Sequence, residues 1–179
     1  MDLPLTRGPV TLRRLREGDV DAFLAYRADP EVARFQSWAP MDRDRALGFI
    51  AAVADAPLLQ DGEWCQIAVA GDDDALIGDM GLHLHGRVVE LGITLARGAW
   101  GRCLGSRAYR AALSLVFADP RVDAVVGIAD ARNTGSLRML EKAGLRFERA
   151  EEAEYDGETC IDHHHRITRA DFDGGRALG

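Results

Sequence analysis

The sequence has few cysteines and no long apolar segment. Cys65, Cys103 and Cys160 are an odd set without the spacing of a metal site, so we interpret them as free thiols in a reducing compartment. No run of eighteen apolar residues occurs, and the N-terminal residues lack the charged-then-apolar order of a signal peptide. These absences argue against a disulfide scaffold and a transmembrane protein. We therefore expect a soluble, cytoplasmic protein with no membrane partner.

Positive charge is scarce as well. The 179 residues include 22 Lys and Arg against 29 Asp and Glu, which gives a net charge of -7, and Lys142 is the only lysine. General nucleic-acid binding needs a basic face, so we expect no nucleic-acid partner. The negative surplus suits a cationic partner such as an amine or a basic peptide. With 47% hydrophobic residues the chain can bury one core but is short for two typical domains, so we predict a single domain over residues 1–179.

The spacing of apolar residues predicts a mixture of strands and helices. The predicted strands are residues 10–15, Trp64–Ala70, Leu76–His85, Val88–Leu95, 124–129, 148–154 and 159–168. Helices are predicted after Asp19 and Asp42, from about Leu104, and over residues 136–142 with Gly144 as the C-terminal cap. Tight turns between the second, third and fourth strands indicate an antiparallel meander, and strand and helix alternate after it. We therefore expect a mixed α/β fold.

A glycine-containing loop at residues 100–106 separates the fourth predicted strand from a helical pattern. The first turn of a helix has free N–H groups and the positive end of the helix dipole, so such a loop can bind an anion, most often phosphate. Gly101 and Gly105 would let the backbone approach closely, and Arg102 and Arg107 could add cationic contacts. Glycine before a helix is also ordinary turn chemistry, so the loop alone leaves both interpretations open.

A second motif, Asn133, Ser136, Glu141-Lys142, Gly144 and Phe147, follows this loop. Together the two motifs resemble the GNAT superfamily of N-acetyltransferases. Trp100-Gly101, Ser136 and the Ala153-Glu154-Tyr155-Asp156-Gly157 ending are most similar to its ribosomal-protein N-terminal (alanine) acetyltransferase branch. The resemblance implies an α+β acyl-CoA N-acyltransferase fold: a mostly antiparallel sheet of six to seven strands, splayed strands four and five, and helices on both faces. It also implies acetyl-CoA as co-substrate and allows a homodimer through the terminal strands.

The sequence departs from the family pattern at two positions. Cys103 replaces the central glycine of the loop, and its Cβ disfavours a positive φ, so we expect pyrophosphate binding to be weaker or differently shaped. Leu140 stands where many GNAT enzymes have a tyrosine as general acid, so an acid must come from elsewhere. These departures motivate one alternative, a non-catalytic CoA-binding sensor or scaffold.

The resemblance implies direct attack of the amine on the thioester in a ternary complex, which needs a base, oxyanion donors and an acid. The backbone N–H near Leu95 or Ala96 would polarise the thioester carbonyl. The expected cofactor-binding residues are Leu95, Trp100, Gly101, Arg102, Cys103, Leu104, Gly105, Ser106 and Asn133. Asn133 would cap the following helix, bind the CoA arm, or do both.

Three residues are candidates for proton transfer. Glu154 is the preferred base by its match to the ribosomal-protein branch, and Glu90 on the fourth strand competes with it. Either could instead be a solvated charge on a strand. Ser136 is the candidate donor to the thiolate, or alternatively a small helix residue with a local hydrogen bond.

Phe35, Trp38, His163 and His165 are the candidate acceptor-binding residues, although packing between helices would also explain Phe35 and Trp38. His163 and His165 share one face of a strand and could bind a metal with His83 and His85, but no spacing joins the two pairs, so we predict no metal. The predicted activity is acetylation of a primary amine, preferably a protein or peptide N-terminus. The alternative acceptor is a small amine such as an amino acid, polyamine or antibiotic, which a deep acidic pocket would favour.

Overall fold

The computed structural model describes residues 2–36, 38–155 and 157–176. Within these residues one sheet has the strand order β1-β2-β3-β4-β5-β6-β8-β7. The strands are β1 Leu5–Arg7, β2 Val10–Arg13, β3 Trp64–Ala70, β4 Leu76–His85, β5 Val88–Leu95, β6 Ala124–Asp130, β7 Arg146–Tyr155 and β8 Glu158–Thr168. The helices are α1 Val20–Arg27, α2 Pro30–Ala33, α3 Arg43–Ala54, α4 Leu104–Val116, α5 Thr134–Ala143 and α6 Arg169–Arg176. No helix in this part of the chain is long and apolar enough to cross a membrane.

The predicted fold class is confirmed. Neighbouring strands pair antiparallel throughout the sheet, except β5 and β6, which are parallel. The strand count of six to seven was too low, because β1 has only three residues and such a short strand shows no alternation to detect. For the same reason the splayed pair is the fifth and sixth strand of the chain. The polar helix α6 was not predicted either.

Helices cover both faces of the sheet. On β3, Ile67 and Val69 belong to a core cluster with α4, whereas Ala68 between them packs with α1 and α3. Successive side chains on a strand point to opposite faces, so α4 lies on one face and α1 and α3 lie on the other. We call these the α4 face and the α1 face.

The helix ends follow the predicted cap chemistry. The Asp42 carboxylate accepts a hydrogen bond from the Arg45 N–H at 2.8 Å, which begins α3. Gly144 ends α5 with a φ of 106°, a conformation that suits glycine, and its N–H donates to the carbonyls of Leu140 and Glu141. Local sequence therefore sets where α3 begins and where α5 ends.

The parallel strands β5 and β6 separate partway along their length. They pair from Val88 and Ala124 to Glu90 and Val126, and the pairing stops there. β5 continues along β4 as far as Leu95, while β6 continues along β8 as far as Asp130. A gap opens between the two halves of the sheet, and it places backbone groups of β5 next to open space.

Candidate active site

Two cavities meet at this gap. The sheet cavity, of about 570 Å³, is lined by side chains of the α1 face together with residues at the gap. The loop cavity, of about 550 Å³, is lined by the loop before α4 and the first turns of α4 and α5. The residues that line both are Arg34, Phe35, Gln36, Ile93, Thr94, Arg132, Asn133, Ser136 and Met139. One channel therefore runs through the sheet.

The start of α4 gives the loop cavity backbone hydrogen-bond donors. Cys103 is the N-cap of α4 and makes no side-chain capping bond, so N–H groups of the first turn remain free. A Cβ at Gly105 would lie 3.1 Å from the Met139 sulfur and 3.2 Å from the Leu95 Cδ1 atom, so glycine lets α4 pack closely there. Cys103 itself has a φ of 59°. The left-handed conformation that its Cβ disfavours is adopted nonetheless, and the loop keeps the helix-entry geometry expected of a glycine.

Trp100 fixes the loop to the end of β5, because its indole N–H donates to the Leu95 carbonyl at 2.9 Å. The expected cationic contacts are different. Arg102 is exposed and lines neither cavity, and the Arg107 guanidinium lies beside Gly8. Arg138 and Lys142 of α5 line the loop cavity instead. Arg138 and Lys142 are four residues apart on the predicted helix, so the sequence alone could have placed both cations on one helix face.

Free backbone donors face the gap on β5. The Ala96 N–H is engaged, since it donates to the Ile77 carbonyl at 2.9 Å. Along an antiparallel strand, the N–H groups of successive residues point alternately towards the partner strand and away from it. Because the Ala96 N–H points towards β4, those of Leu95 and Ile93 point away from β4 and towards the gap. Of the two predicted donors, Leu95 therefore fits and Ala96 does not.

In the sheet cavity two carboxylates have cationic partners. Asp130 forms a two-point ion pair with Arg132, with contacts of 3.0 and 2.6 Å, and that pairing lowers the pKa of Asp130. Asp79 is fully buried and accepts hydrogen bonds from Tyr26, Gln66 and Arg27. Both charges are thus balanced within the wall of the cavity.

Two other carboxylates lack such partners. Glu90 is half-buried on β5; burial raises its pKa, nearby His83 opposes that rise, and the charge of Asp162 adds to it. Asp162 of β8 is 5% exposed and accepts a hydrogen bond from the Tyr155 hydroxyl at 2.6 Å. Neither forms an ion pair with a described residue. The cavity therefore presents negative charge to its contents.

The N-terminus of α5 lies where the two cavities meet. The Asn133 side-chain oxygen accepts a hydrogen bond from the Ser136 N–H at 3.1 Å and so caps the helix. Ser136 is half-buried and lines both cavities. One turn later, Leu140 is 2% exposed and packs against Gly127, where a Cβ would lie 2.5 Å from a Leu140 methyl carbon.

Comparison with protein families decides the interpretation of this geometry. Residues 10–146 match the model of the acetyltransferase (GNAT) domain. The chain belongs to the GNAT family of acetyltransferases. It is an acetyl-CoA-dependent N-acetyltransferase by that membership.

Solved structures share the fold at low sequence identity. A GNAT-family acetyltransferase from Bacillus anthracis has a TM-score of 0.82 at 17% identity, covering 94% of this chain and 99% of its own. A spermidine N-acetyltransferase from Vibrio cholerae in complex with CoA and spermine has a TM-score of 0.77 at 17% identity, covering 93% and 98%. AAC(6')-Ib in complex with paromomycin and acetyl-CoA has a TM-score of 0.72 at 19% identity, covering 94% and 98%. These likenesses show the GNAT fold.

The sheet brings some of the predicted site residues to the GNAT channel and leaves others outside it. Glu90, Ser136, Phe35 and Trp38 line the sheet cavity. Apart from Arg102, the predicted cofactor-binding residues line the loop cavity: Leu95, Trp100, Gly101, Cys103, Leu104, Gly105, Ser106 and Asn133. Trp38 is held in place by the Arg27 guanidinium, which lies 4.3 Å from its ring centre.

Glu154 lies outside the channel. It is exposed on β7 and lines neither cavity, whereas its neighbour Tyr155 lines the sheet cavity. Because adjacent strand residues point to opposite faces, Glu154 points away from Glu90. The hairpin therefore presents Tyr155, and not Glu154, to the sheet cavity.

His163 and His165 also lie on the other face of β8. Both rings pack edge-on against Phe147, with ring centres 5.1 and 5.8 Å away, and neither lines the sheet cavity or the loop cavity. Asp162, the neighbour of His163, and Cys160, two residues before Asp162, face the sheet cavity instead, and the sequence reasoning missed both. In the first half of β8, Cys160 and Asp162 are buried and Ile161 between them is exposed. Because the segment is mostly polar, its sequence has no apolar alternation that would predict which residues face inward.

The histidine pairs do not meet. His83 stacks on Trp64 with ring centres 4.9 Å apart, on β4, whereas His163 and His165 lie on β8 and the opposite face. Among the residues that the structure describes, no group of three or more His, Cys, Asp or Glu side chains could hold a metal ion.

Proposed function

We propose that this enzyme transfers the acetyl group of acetyl-CoA to a primary amine by direct attack, with acetyl-CoA in the loop cavity and the amine in the sheet cavity. The observation that carries the proposal is that the two cavities join at the gap between β5 and β6. Two substrates that enter from opposite faces would meet there, and the acetyl group could pass directly between them without a covalent enzyme intermediate.

The loop cavity has the groups that a diphosphate requires. Free N–H groups at the start of α4, the open space beside Gly101 and the cations Arg138 and Lys142 together suit a phosphate ligand. Acetyl-CoA supplies the thioester to be attacked. The N–H groups of Ile93 and Leu95 would bind the oxygen that becomes negative during attack.

Glu90 is the better-supported base. It lines the sheet cavity, and its raised pKa makes it a stronger proton acceptor than an exposed glutamate. Glu154 is the base favoured by the sequence resemblance. It could act only if the final hairpin turned its opposite face towards the sheet cavity. An α-amine has a pKa of about 8 and a lysine amine about 10.4, so an amine of either kind must lose a proton before it attacks.

Ser136 is the better-supported donor to the departing thiolate. It lies where the cavities join, and its hydroxyl forms no hydrogen bond with the described residues. A hydroxyl that is free at this point could donate to the sulfur as charge develops. Leu140 is buried and apolar and cannot take this role.

The acceptor that best fits the sheet cavity is a compact cationic amine. Its lining has more acidic than basic side chains, namely Asp79, Glu90, Asp130, Glu158 and Asp162 against Arg27, Arg34 and Arg132. A surplus of negative charge favours a cation. A peptide N-terminus is the second candidate, favoured by the hairpin motif shared with the ribosomal-protein branch.

Release of CoA thiol from acetyl-CoA tests these proposals. We expect turnover with 1,4-diaminobutane and a lower kcat/KM with peptides that begin with alanine or serine. A higher kcat/KM with the peptides would instead assign the N-terminus as acceptor. Tight binding of acetyl-CoA with no thiol release from any amine would contradict the proposed transfer and favour the sensor alternative.

A further inference from the structure

The final hairpin contributes a buried carboxylate to the sheet cavity. Asp162 lies on β8 directly opposite Asp130 of β6, and Arg132 already neutralises Asp130. Asp162 is 5% exposed, and its one hydrogen-bond partner among the described residues is the Tyr155 hydroxyl. A buried carboxylate that has a single neutral donor retains unused acceptor capacity and an unbalanced charge.

Asp162 and Glu90 face the same cavity from opposite sides of the gap. Glu90 pairs with Val126 of β6, and Asp130, four residues along the same strand, lies on the same face as Val126. Asp162 pairs with Asp130, so Glu90 and Asp162 lie on one face of the sheet. Both carboxylates line the sheet cavity, and each lacks an ion-pair partner among the described residues. Two like charges in one cavity repel each other unless a cation lies between them.

We propose that Glu90 and Asp162 together form the binding site for the ammonium group of the acceptor, and that Tyr155 is a positioning residue that orients Asp162. This inference rests on the proposed function, since it assigns the acceptor side of the same channel. A primary ammonium has three N–H donors and can bond both carboxylates at once. One proton then moves from the ammonium nitrogen to Glu90, and the neutral amine stays bonded to Asp162 as its lone pair forms the C–N bond. The C–S bond breaks with its electron pair going to the sulfur, and the second proton leaves the nitrogen and reaches the thiolate through the Ser136 hydroxyl, so the products are the amide and CoA thiol.

Tyr155 sits at the tip of the hairpin, opposite Glu158, and is 45% exposed. Its hydroxyl nevertheless reaches back along the hairpin to the buried Asp162 carboxylate. The bond occupies one oxygen of Asp162 and leaves the other for the acceptor. The hydrogen bond to Asp162, and to a lesser extent burial, raise the pKa of Tyr155, so the tyrosine holds its proton while it orients the carboxylate.

The test compares Asp162→Asn with Glu152→Gln, a matched loss of one carboxylate on the same hairpin. Glu152 is exposed and pairs with Ile161, on the face opposite Asp162. The probes are butylammonium, which has N–H donors, and butyltrimethylammonium, which has the same charge and none. Calorimetric titration of CoA-loaded protein measures their binding, and acetyl-CoA affinity reports that each variant is folded.

We expect Asp162→Asn to weaken butylammonium binding about tenfold, the scale of one hydrogen bond to a charged group. Glu152→Gln should leave it unchanged, and butyltrimethylammonium should bind the wild type more weakly than butylammonium. With a turned-over amine, KM should rise more than kcat falls. Unchanged butylammonium binding by Asp162→Asn, with acetyl-CoA affinity intact, would overturn the proposal.

A double-mutant cycle tests the positioning role of Tyr155. Tyr155→Phe alone should weaken butylammonium binding by less than Asp162→Asn, and it should add nothing in the Asp162→Asn background. Independent, additive effects would show that Tyr155 acts on its own. If the wild type binds butylammonium through Asp162 but releases no thiol, the proposed transfer fails while the ammonium site stands, so the two failures are distinguishable.

Discussion

The loop cavity and the sheet cavity differ in what they are made of. The loop cavity offers backbone N–H groups at the N-terminus of α4, and its lining comes from four segments, within residues 31–36, 93–95, 99–106 and 132–142. The sheet cavity consists mainly of side chains from β3, β4, β5, β6 and the final hairpin. A backbone site tolerates many side-chain changes. A side-chain site depends on which face of each strand a residue occupies. Single substitutions should therefore have larger effects in the sheet cavity than in the loop cavity.

The largest expected effect contrasts two glutamates. Glu90→Gln should lower kcat by about 10²–10⁴-fold, the usual contribution of a general base, because Glu90 lies in the cavity. Glu154→Gln should change kcat by no more than about twofold, since an exposed charge on the other face touches neither substrate. Steady-state thiol release with a saturating amine measures both. The opposite ranking would show that the hairpin presents its other face to the acceptor.

The pH dependence of kcat/KM sharpens the same contrast. Glu90 accepts a proton only when ionised, and burial raises its pKa. Activity should therefore fall on acidification at a pH above that expected for an ordinary glutamate. The charge of Asp162 adds to that rise, so Asp162→Asn should move the acidic limb to lower pH, the direction in which His83 already acts. An acidic limb unchanged by Glu90→Gln would assign it to another group.

The same contrast explains what the sequence could predict. The loop, the Asn133 cap and the Gly144 cap depend on local backbone chemistry, and the structure has them where the motifs placed them. The faces of β7 and β8 depend on the register of a hairpin. β7 is exposed almost throughout, so its sequence has no apolar alternation to set the phase. A shift of one residue exchanges Glu154 for Tyr155, and His163 for Asp162.

An intermediate effect is expected at the junction of the two cavities. Ser136→Ala removes one donor to the developing thiolate and should lower kcat about 10–100-fold, the scale of a hydrogen bond to a charged group. The Asn133 cap uses the Ser136 N–H and not its hydroxyl, so the stability of α5 should be unchanged. Thermal unfolding provides that control. If Ser136→Ala has the same kcat as the wild type, Ser136 is not the donor, and water protonates the departing thiolate.

The smallest effect is expected at Cys103, and it tests whether the loop cavity is a backbone site. A residue with a Cβ at a φ of 59° costs about 1–2 kcal/mol relative to glycine, which has a compensating entropic cost of about 0.5–1 kcal/mol in the unfolded chain. Cys103→Gly should therefore raise the free energy of unfolding by about 1 kcal/mol or less and change acetyl-CoA affinity by a few-fold at most. Cys103→Ala keeps the Cβ and removes the sulfur, so it should match the wild type in both denaturant unfolding and acetyl-CoA titration. If Cys103→Ala weakens acetyl-CoA binding tenfold, the thiol itself contacts the ligand, and the distinction between a backbone site and a side-chain site fails at the residue where the loop departs from the GNAT pattern.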